Sequence, residues 1–198
     1  MYGCPDPIEF INAVRRGEMS CTHCSGVIGS WGFGVKRVVR HLHGESTYRP
    51  HRIRCKGCKH TDVVLPWSQV YRHRDDVTVL GTAVLSAAKG NGYWTVAKEL
   101  DRPVSTVRNW IRHFKAKAGK LCVIGTTWHA SLDVDCFLTP QATPLADAVE
   151  AMGAAAKSMI LKLHMFGRCP WQIMNALTRC LIFANPPGND LIAYRHSM

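Results

Sequence analysis

The stretch Tyr93-Trp-Thr-Val-Ala-Lys-Glu-Leu-Asp-Arg-Pro-Val-Ser-Thr-Val-Arg-Asn-Trp-Ile-Arg112 decides the fold of the middle of the chain. Its pattern predicts two short helices separated by a tight turn at Asp101 to Pro103, where Asp101 tolerates a left-handed backbone. Apolar side chains at helical spacing form one buried side on each helix, and these two sides are expected to face each other: Val96, Ala97, Leu100, Val107, Ile111 and Phe114. Ser105 or Thr106 is expected to cap the second helix. The stretch therefore predicts two helices that pack across a short turn.

A further amphipathic pattern, from Asp76 to Ala88, supplies a third helix, and the three together resemble a helix-turn-helix unit. The exposed side of the last helix carries residue types that read base edges and bind phosphates in a DNA major groove: Ser105, Thr106, Arg108, Asn109 and Arg112. Arg108 and Asn109 are the expected base readers. Contacts with the phosphate backbone are expected of Arg112, His113, Lys115, Lys117 and Lys120. The alternative is the solvated polar face of a helical unit that binds protein.

The charge of the chain is unevenly distributed. The 198 residues carry a net charge of +11, from 25 Lys and Arg against 14 Asp and Glu. Residues 1–120 hold 20 basic and 9 acidic residues, whereas residues 121–198 hold 5 of each. A basic surface confined to particular modules is typical of phosphate binding, because each neutralised phosphate releases counterions. A charge that serves solubility, or contact with an anionic membrane, is the alternative.

Two Cys-x-x-Cys pairs, Cys21 with Cys24 and Cys55 with Cys58, indicate a metal site. Each pair lets one tight turn present two sulfurs to a single ion, and zinc prefers four thiolates in a structural site. We therefore predict one structural Zn²⁺ in a zinc ribbon. His23 and His60 beside these turns are alternative ligands, and buried thiols without metal are the other interpretation. The remaining cysteines form no such pair and are interpreted as free thiols: Cys4, Cys122, Cys136, Cys169 and Cys180.

The region around the second cysteine pair is strand-like. Runs from Val35 to His43 and from Tyr48 to Cys55 flank a turn at Gly44 and predict a hairpin. Arg52 and Arg54 fall on the solvent face of the second run, because side chains alternate along a strand. These two arginines are further candidate DNA contacts.

The C-terminal part has the pattern of helices after a linker. Pro and small polar residues around Thr139 to Pro144 indicate a linker over residues 121–144. An apolar seam of about three heptads follows: Leu145, Val149, Met152, Ala156, Met159 and Leu163. A second stripe comes after a break: Trp171, Met174, Leu177 and Leu181. We predict an antiparallel helical hairpin, with homodimerisation through the seam as the alternative.

The expected fold class is therefore α+β. An N-terminal β zinc ribbon (residues 1–72) precedes the helix-turn-helix three-helix unit (73–120), the linker (121–144) and the C-terminal helical hairpin (145–198). No signal peptide or bilayer-spanning apolar stretch is visible in the sequence. We expect a cytoplasmic, nucleoid-associated protein without membrane contact.

No catalytic constellation is expected either. A transposase of the acidic-triad type needs three carboxylates on a nuclease-like sheet with metal ions. The available candidates, Asp133, Asp135 and Glu150, fall in a predicted loop and a predicted helix. The Gly-rich segment Gly29 to Gly34 lacks the Lys and the Ser or Thr of a phosphate-binding loop and is interpreted as a turn. We predict that the protein is not an enzyme.

Several short motifs resemble a bacterial family of small zinc-ribbon and helix-turn-helix proteins, often encoded near transposase genes. The resemblance lies in the first Cys-x-x-Cys, Trp31-Gly32, Arg52-Ile-Arg-Cys-Lys-Gly-Cys58, Val63-Val-Leu-Pro66 and Arg102-Pro-Val-Ser-Thr-Val-Arg-Asn-Trp110. It implies DNA binding with an accessory or regulatory role in a mobile element, and it brings no established catalytic residues.

The residues and the resemblance together predict a sequence-specific reader of double-stranded DNA. Its role would be that of a transcriptional regulator or of a transposition or recombination accessory factor. The C-terminal helices would bind a second copy of the chain or a transposase or recombinase partner. The alternative is a protein-interaction adaptor in a larger nucleoprotein complex, without sequence-specific readout of its own.

Overall fold

A computed structural model describes residues 1–132 and 137–183 and shows strands followed by helices, in agreement with an α+β fold. The N-terminal part contains β1 (Tyr2–Cys4), α1 (Pro7–Arg16), β2 (Ile28–Phe33), β3 (Arg37–Arg40), β4 (Glu45–Tyr48), β5 (His51–Cys55) and β6 (Thr61–Pro66). The helical part contains α2 (Val77–Ala88), α3 (Tyr93–Leu100), α4 (Val104–Lys115), α5 (Ala118–Leu132), α6 (Pro144–Lys162) and α7 (Pro170–Leu177). Across the described residues, no helix has the length and apolar character needed to cross a membrane.

Four strands form one sheet in the order β1-β6-β5-β2, and β3 with β4 forms a separate hairpin. The predicted pairing of the run Val35 to His43 with the run Tyr48 to Cys55 is therefore wrong. Strand β3 of the first run pairs with β4, and β5 of the second run lies between β2 and β6. Burial explains the difference, because Ile53 and Cys55 of β5 complete the core beneath the larger sheet. The segment Gly29 to Gly34, interpreted as a turn, is mostly strand β2 with a bulge, where Gly32 has a φ of 83°.

Helix α1 covers one face of this sheet. Its first turn is capped by Asp6, whose Oδ1 accepts hydrogen bonds from the backbone N–H of Ile8 and Glu9 at 2.8 and 3.3 Å. Gly17 ends the helix in the left-handed conformation. The buried residues Ile11 and Val14 pack against the sheet. On the opposite face Arg52 and Arg54 of β5 are half-buried, whereas Leu65 of β6 is buried.

The predicted three-helix unit is present as α2, α3 and α4. Asp101 adopts the left-handed conformation expected of it, with φ 51° and ψ 54°. The predicted core positions Val107, Ile111 and Phe114 of α4 are fully buried. The predicted cap is wrong, because Pro103 occupies the N-cap of α4 and makes no side-chain cap bond. The helix therefore starts one residue before Ser105 and includes Ser105 and Thr106 in its first turn.

The predicted linker is wrong over residues 121–132, which belong to α5. Helix α5 runs parallel with α6: Ala118 and Leu145, near the two helix starts, line one surface depression, and His129 Nδ1 lies 2.8 Å from Ser158 Oγ further along both helices. The main partner of α6 is thus α5, and the predicted antiparallel hairpin does not describe this packing. Gly125 permits the close approach of α5 to α6, since a Cβ on Gly125 would lie 2.5 Å from the carbonyl carbon of Ala151.

The apolar seam of α6 is covered within the chain. Its central residues Met152 and Ala156 are fully buried in the single core that α2 to α7 share. Helix α7 closes this core and is fixed to the strand part by Asn175, whose Nδ2 donates to the carbonyl oxygens of Trp67 and Gln69 at 2.8 and 2.9 Å. The buried part of the seam therefore does not require a partner helix from a second chain.

The close packing of α5 on α6 leads to a first prediction. Gly125→Ala is expected to lower the free energy of unfolding by about 1–3 kcal/mol, because the added methyl group overpacks the interface. Gly119→Ala in the same helix places its methyl group in open space. That control is expected to be neutral or to stabilise by up to about 1 kcal/mol through helix propensity. Thermal and denaturant unfolding followed by circular dichroism measures both, and a Gly125→Ala variant as stable as the control would contradict the packing.

Candidate metal centre and nucleic-acid interface

The four cysteines of the two Cys-x-x-Cys pairs converge on one point. Cys21 Sγ lies 3.7 Å from Cys58 Sγ, Cys24 Sγ lies 3.5 Å from Cys55 Sγ, and all four sulfurs lie within 4.8 Å of one another. A tetrahedral zinc ion with Zn–S bonds of about 2.3 Å separates its sulfurs by about 3.8 Å. The predicted ligand set therefore fits a tetrahedral metal ion, and four thiolates leave no open coordination position for chemistry.

The backbone forms two equivalent turns around this cluster. Cys21 N–H donates to the carbonyl of Gly26 at 2.9 Å, and Cys55 N–H donates to the carbonyl of His60 at the same distance, five residues on in both cases. The residue after the second cysteine of each pair, Ser25 or Lys59, has a left-handed backbone. Two matched turns that bring four sulfurs together are what a Cys4 metal site requires.

The two histidines beside the cysteines lie outside the sulfur cluster. The rings of His23 and His60 face each other with centroids 3.8 Å apart, and His60 Nε2 lies 3.3 Å from Asp62 Oδ1. These three residues form a second, more exposed group of potential ligands. Burial raises the pKa of the Cys4 and Cys180 thiols to about 12, which suits unreactive core cysteines. Cys122 and Cys169 are half-buried free thiols, and Cys136 is outside the described residues.

Helix α4 presents its polar side to solvent. Ser105, Arg108, Asn109, Arg112 and Lys115 are exposed, and Thr106 and His113 are half-buried. Arg112 Nη2 donates to Asn109 Oδ1 at 3.2 Å. The buried ring of Trp110 belongs to the core, so it supports this surface from beneath. The predicted DNA-contacting residues of α4 thus share one accessible surface.

One predicted phosphate contact, Lys117 after α4, needs revision, whereas His113 stays a predicted contact. Lys117 is buried and its Nζ donates to the carbonyl oxygen of Leu181 at 3.3 Å, so it does not face a phosphate. Burial lowers the pKa of Lys117 to about 8. Burial and the nearby charges of Arg112 and Lys117 also lower the pKa of His113, which favours a neutral imidazole at pH 7. The sequence position of Lys117, just after α4, did not predict its long-range contact with Leu181.

Basic residues that the sequence pattern did not single out continue the surface of α4. Arg72 and His73 line one surface depression together with Asn109 and His113 of α4. The same Arg72, with Arg74, lines a second depression beside Lys36 and Arg37 at the start of β3. No acidic side chain lines either depression among the described residues. The Arg-rich run Tyr71-Arg-His-Arg74 is the sequence feature that could have indicated this basic surface.

A buried carboxylate fixes the strand part to the turn before α4. Asp75 accepts from Arg102 Nε at 2.6 Å on one oxygen and from Arg40 of β3 on the other. Next to it, Asp76 caps α2 and its Oδ2 lies 2.7 Å from His41 Nδ1. The β3–β4 hairpin and the helix-turn-helix are therefore held together by charged hydrogen bonds, which fixes the basic loop beside α4.

The predicted arginines of the sheet lie apart from α4. Arg52 and Arg54 are half-buried on the sheet face opposite to the buried Ile53 and Cys55. Arg54 stacks over Trp31, with its guanidinium carbon 4.6 Å from the ring centroid. Of the carboxylates considered for catalysis, Glu150 is exposed on α6, and Asp133 and Asp135 are outside the described residues. The structure thus groups no acidic triad from the residues that it describes.

Comparison with known families supports the helix-turn-helix. A family model described as a homeodomain-like domain matches residues 79–121, which run from within α2 to the start of α5. Searches of curated proteins and of solved structures found no match. The matched segment is similar to homeodomain-like helix-turn-helix domains, a class whose last helix enters the DNA major groove, and this similarity suggests DNA binding.

Proposed function

We propose that this protein is a sequence-specific, non-catalytic reader of double-stranded DNA with one structural zinc ion. The exposed polar and basic side of α4, inside a segment that matches a homeodomain-like domain, is the observation that supports the proposal most strongly. Arg108 and Asn109 would read base edges, because Arg pairs with guanine and Asn with adenine in the major groove. Ser105, Thr106, Arg112, His113 and Lys115 would position the helix on the backbone.

In this proposal the zinc ribbon is a scaffold for the DNA contacts. The four thiolates would hold Zn²⁺, and the folded sheet would hold the β3–β4 hairpin that Asp75 joins to the turn before α4. Arg52 and Arg54 add positive charge on this part of the molecule. The biological role would be regulation of transcription or assistance to transposition or recombination, in the cytoplasm on nucleoid DNA. A second copy of the chain or a transposase would be the protein partner.

The basic loop beside α4 extends the proposed contact surface. Arg72 and Arg74 are exposed, and Arg72 shares a surface depression with Asn109 of α4. Arginines in this place would neutralise phosphates that flank the groove occupied by α4. Each phosphate contact contributes about 0.9 to the slope of log K against log salt concentration.

Arg72→Ala with Arg74→Ala is therefore expected to reduce the magnitude of the salt slope by about 1.8. The affinity should fall for every duplex sequence alike, because phosphates carry no base identity. Fluorescence anisotropy with labelled duplexes at several salt concentrations measures both quantities. Lys157→Ala with Lys162→Ala removes the same charge from the exposed side of α6 and should leave the slope unchanged. A wild-type protein that binds duplexes without salt dependence would contradict the proposed function itself.

A further inference from the structure

The sheet face opposite α1 carries an exposed aromatic ring among basic side chains. Trp31 of β2 is 51% exposed, and Arg54 of β5 stacks on its ring. Together with Gly29, Lys56 and Lys59 these residues line one surface depression, which we call the Trp31 patch. None of the residues described around this depression is acidic. The patch therefore joins an accessible aromatic ring to three basic side chains, with no carboxylate among its lining residues.

The strand pairing explains how the patch stays open. Gly29 lies opposite Arg54 in the β2–β5 ladder and has no side chain that could cover the arginine. A Cβ on Gly29 would lie 3.9 Å from Cε of Lys56, whose aliphatic chain therefore passes close by. Trp31 lies within the bulge between Ser30 and Phe33, and its ring packs against Arg54 on this face. Trp31 thus presents a large aromatic ring to solvent beside Arg54, where a ligand can reach it.

Basic residues connect this patch to α4. Arg52, on the same sheet face as Arg54, lines a depression with Arg37 and Tyr71. Arg37 in turn lines the depression that contains Arg72 and Arg74, and Arg72 reaches the surface of Asn109. Asp62 also lines the depression of Arg52, and its Oδ1 lies 2.6 Å from the N-terminal ammonium of Met1. A polyanion held at α4 would therefore meet mainly basic side chains on the way to Trp31.

An aromatic ring with a guanidinium group stacked on it can bind unpaired bases by stacking. In a duplex the base faces are already stacked on one another, whereas a single strand offers them to aromatic side chains and to arginine. Base–aromatic stacking does not depend on hydrogen-bond readout, so every base can use the same ring. We propose that the Trp31 patch binds single-stranded DNA by stacking an unpaired base on Trp31 and Arg54, with Lys56 and Lys59 beside the backbone phosphates. This activity goes beyond duplex readout by α4 and does not depend on it.

The test uses the zinc-loaded full chain and a fluorescein-labelled oligo(dT) of about 12 nucleotides, within the usual site size of stacking surfaces. Trp31→Ala is expected to weaken binding at least about tenfold, and Trp31→Phe to retain most of it, because a ring remains. Phe33→Ala is the matched control. Phe33 is 55% exposed on the same strand and lies under the guanidinium of Arg49 at 5.9 Å, but it pairs with His51 on the other sheet face, outside the Trp31 patch. Zinc content and melting temperature should stay unchanged in all three variants, since both rings are exposed.

Two further comparisons separate this proposal from the proposed function. Arg108→Ala with Asn109→Ala should weaken duplex binding and leave oligo(dT) affinity unchanged. The proposal is overturned if wild type does not bind oligo(dT), if Trp31→Ala binds like wild type, or if Phe33→Ala loses as much affinity. Tighter binding of oligo(U) of the same length would overturn the assignment to DNA. Each of these results would leave duplex readout by α4 standing.

Discussion

Cys55→Ser is expected to abolish stoichiometric zinc binding and to unfold the strand part of the protein. The Cys55 side chain is 2% exposed, and its sulfur lies 3.5 Å from that of Cys24. The apparent free energy of zinc binding, which also stabilises the fold, is roughly 10–16 kcal/mol for small zinc modules at pH 7. Much of it is lost when one ligand is removed. Zinc per chain, measured by elemental analysis, should fall from one to a substoichiometric value.

The same variant should also melt at a lower temperature than the wild type, because the strand part has only a small core of its own. Cys122→Ser is the matched control, since Cys122 is a half-buried free thiol outside the cluster. It should keep one zinc per chain and a nearly unchanged melting temperature. A Cys55→Ser protein that still holds one tightly bound zinc would show that the four sulfurs are not the ligand set.

Arg108→Ala with Asn109→Ala is expected to remove most of the preference for the target duplex. A good bidentate contact contributes about 1–3 kcal/mol of discrimination, so losing two corresponds to a roughly 30- to 25,000-fold loss on the best sequence. Affinity for unrelated duplexes should fall far less, because it rests on phosphate contacts. Competition binding with matched and scrambled duplexes measures the ratio.

The control for this second variant must leave α4 unchanged. Lys157 is exposed on α6, and Lys157→Ala should change neither the ratio of affinities nor the affinity for the target duplex by more than a small factor. Arg108 and Asn109 are exposed, so their removal should also leave the melting temperature unchanged. An unchanged preference in the double variant would assign sequence readout to another surface of the protein.

The helix-turn-helix and the cysteine cluster were accessible to sequence reasoning because their signals are local. Asp76 caps α2, Asp101 provides the left-handed turn, and each Cys-x-x-Cys fits within one tight turn. Local signals for α1 were also present, in the Asp6-Pro7 start and the Gly17 stop. The prediction of a β zinc ribbon over residues 1–72 does not include this helix.

Features that depend on distant contacts could not be inferred in this way. Helix α5 contains glycines and threonines that lower helix propensity, and it is stabilised by parallel packing on α6. The burial of Lys117 depends on Leu181, far along the chain. The pairing of β5 with β2 and β6 also joins segments that the hairpin pattern keeps apart. The basic loop at Arg72 became part of the candidate interface only through its neighbours on α4.

Selection of bound fragments from a random-sequence duplex library by the zinc-loaded protein tests most directly whether α4 reads DNA sequence. The affinity for the selected duplex would then be compared with that for a scrambled duplex at physiological salt. We predict one enriched motif and an affinity ratio of at least about 10³, as is typical of specific DNA-binding proteins. No enriched motif, together with equal affinities for the selected and scrambled duplexes, would contradict sequence-specific readout.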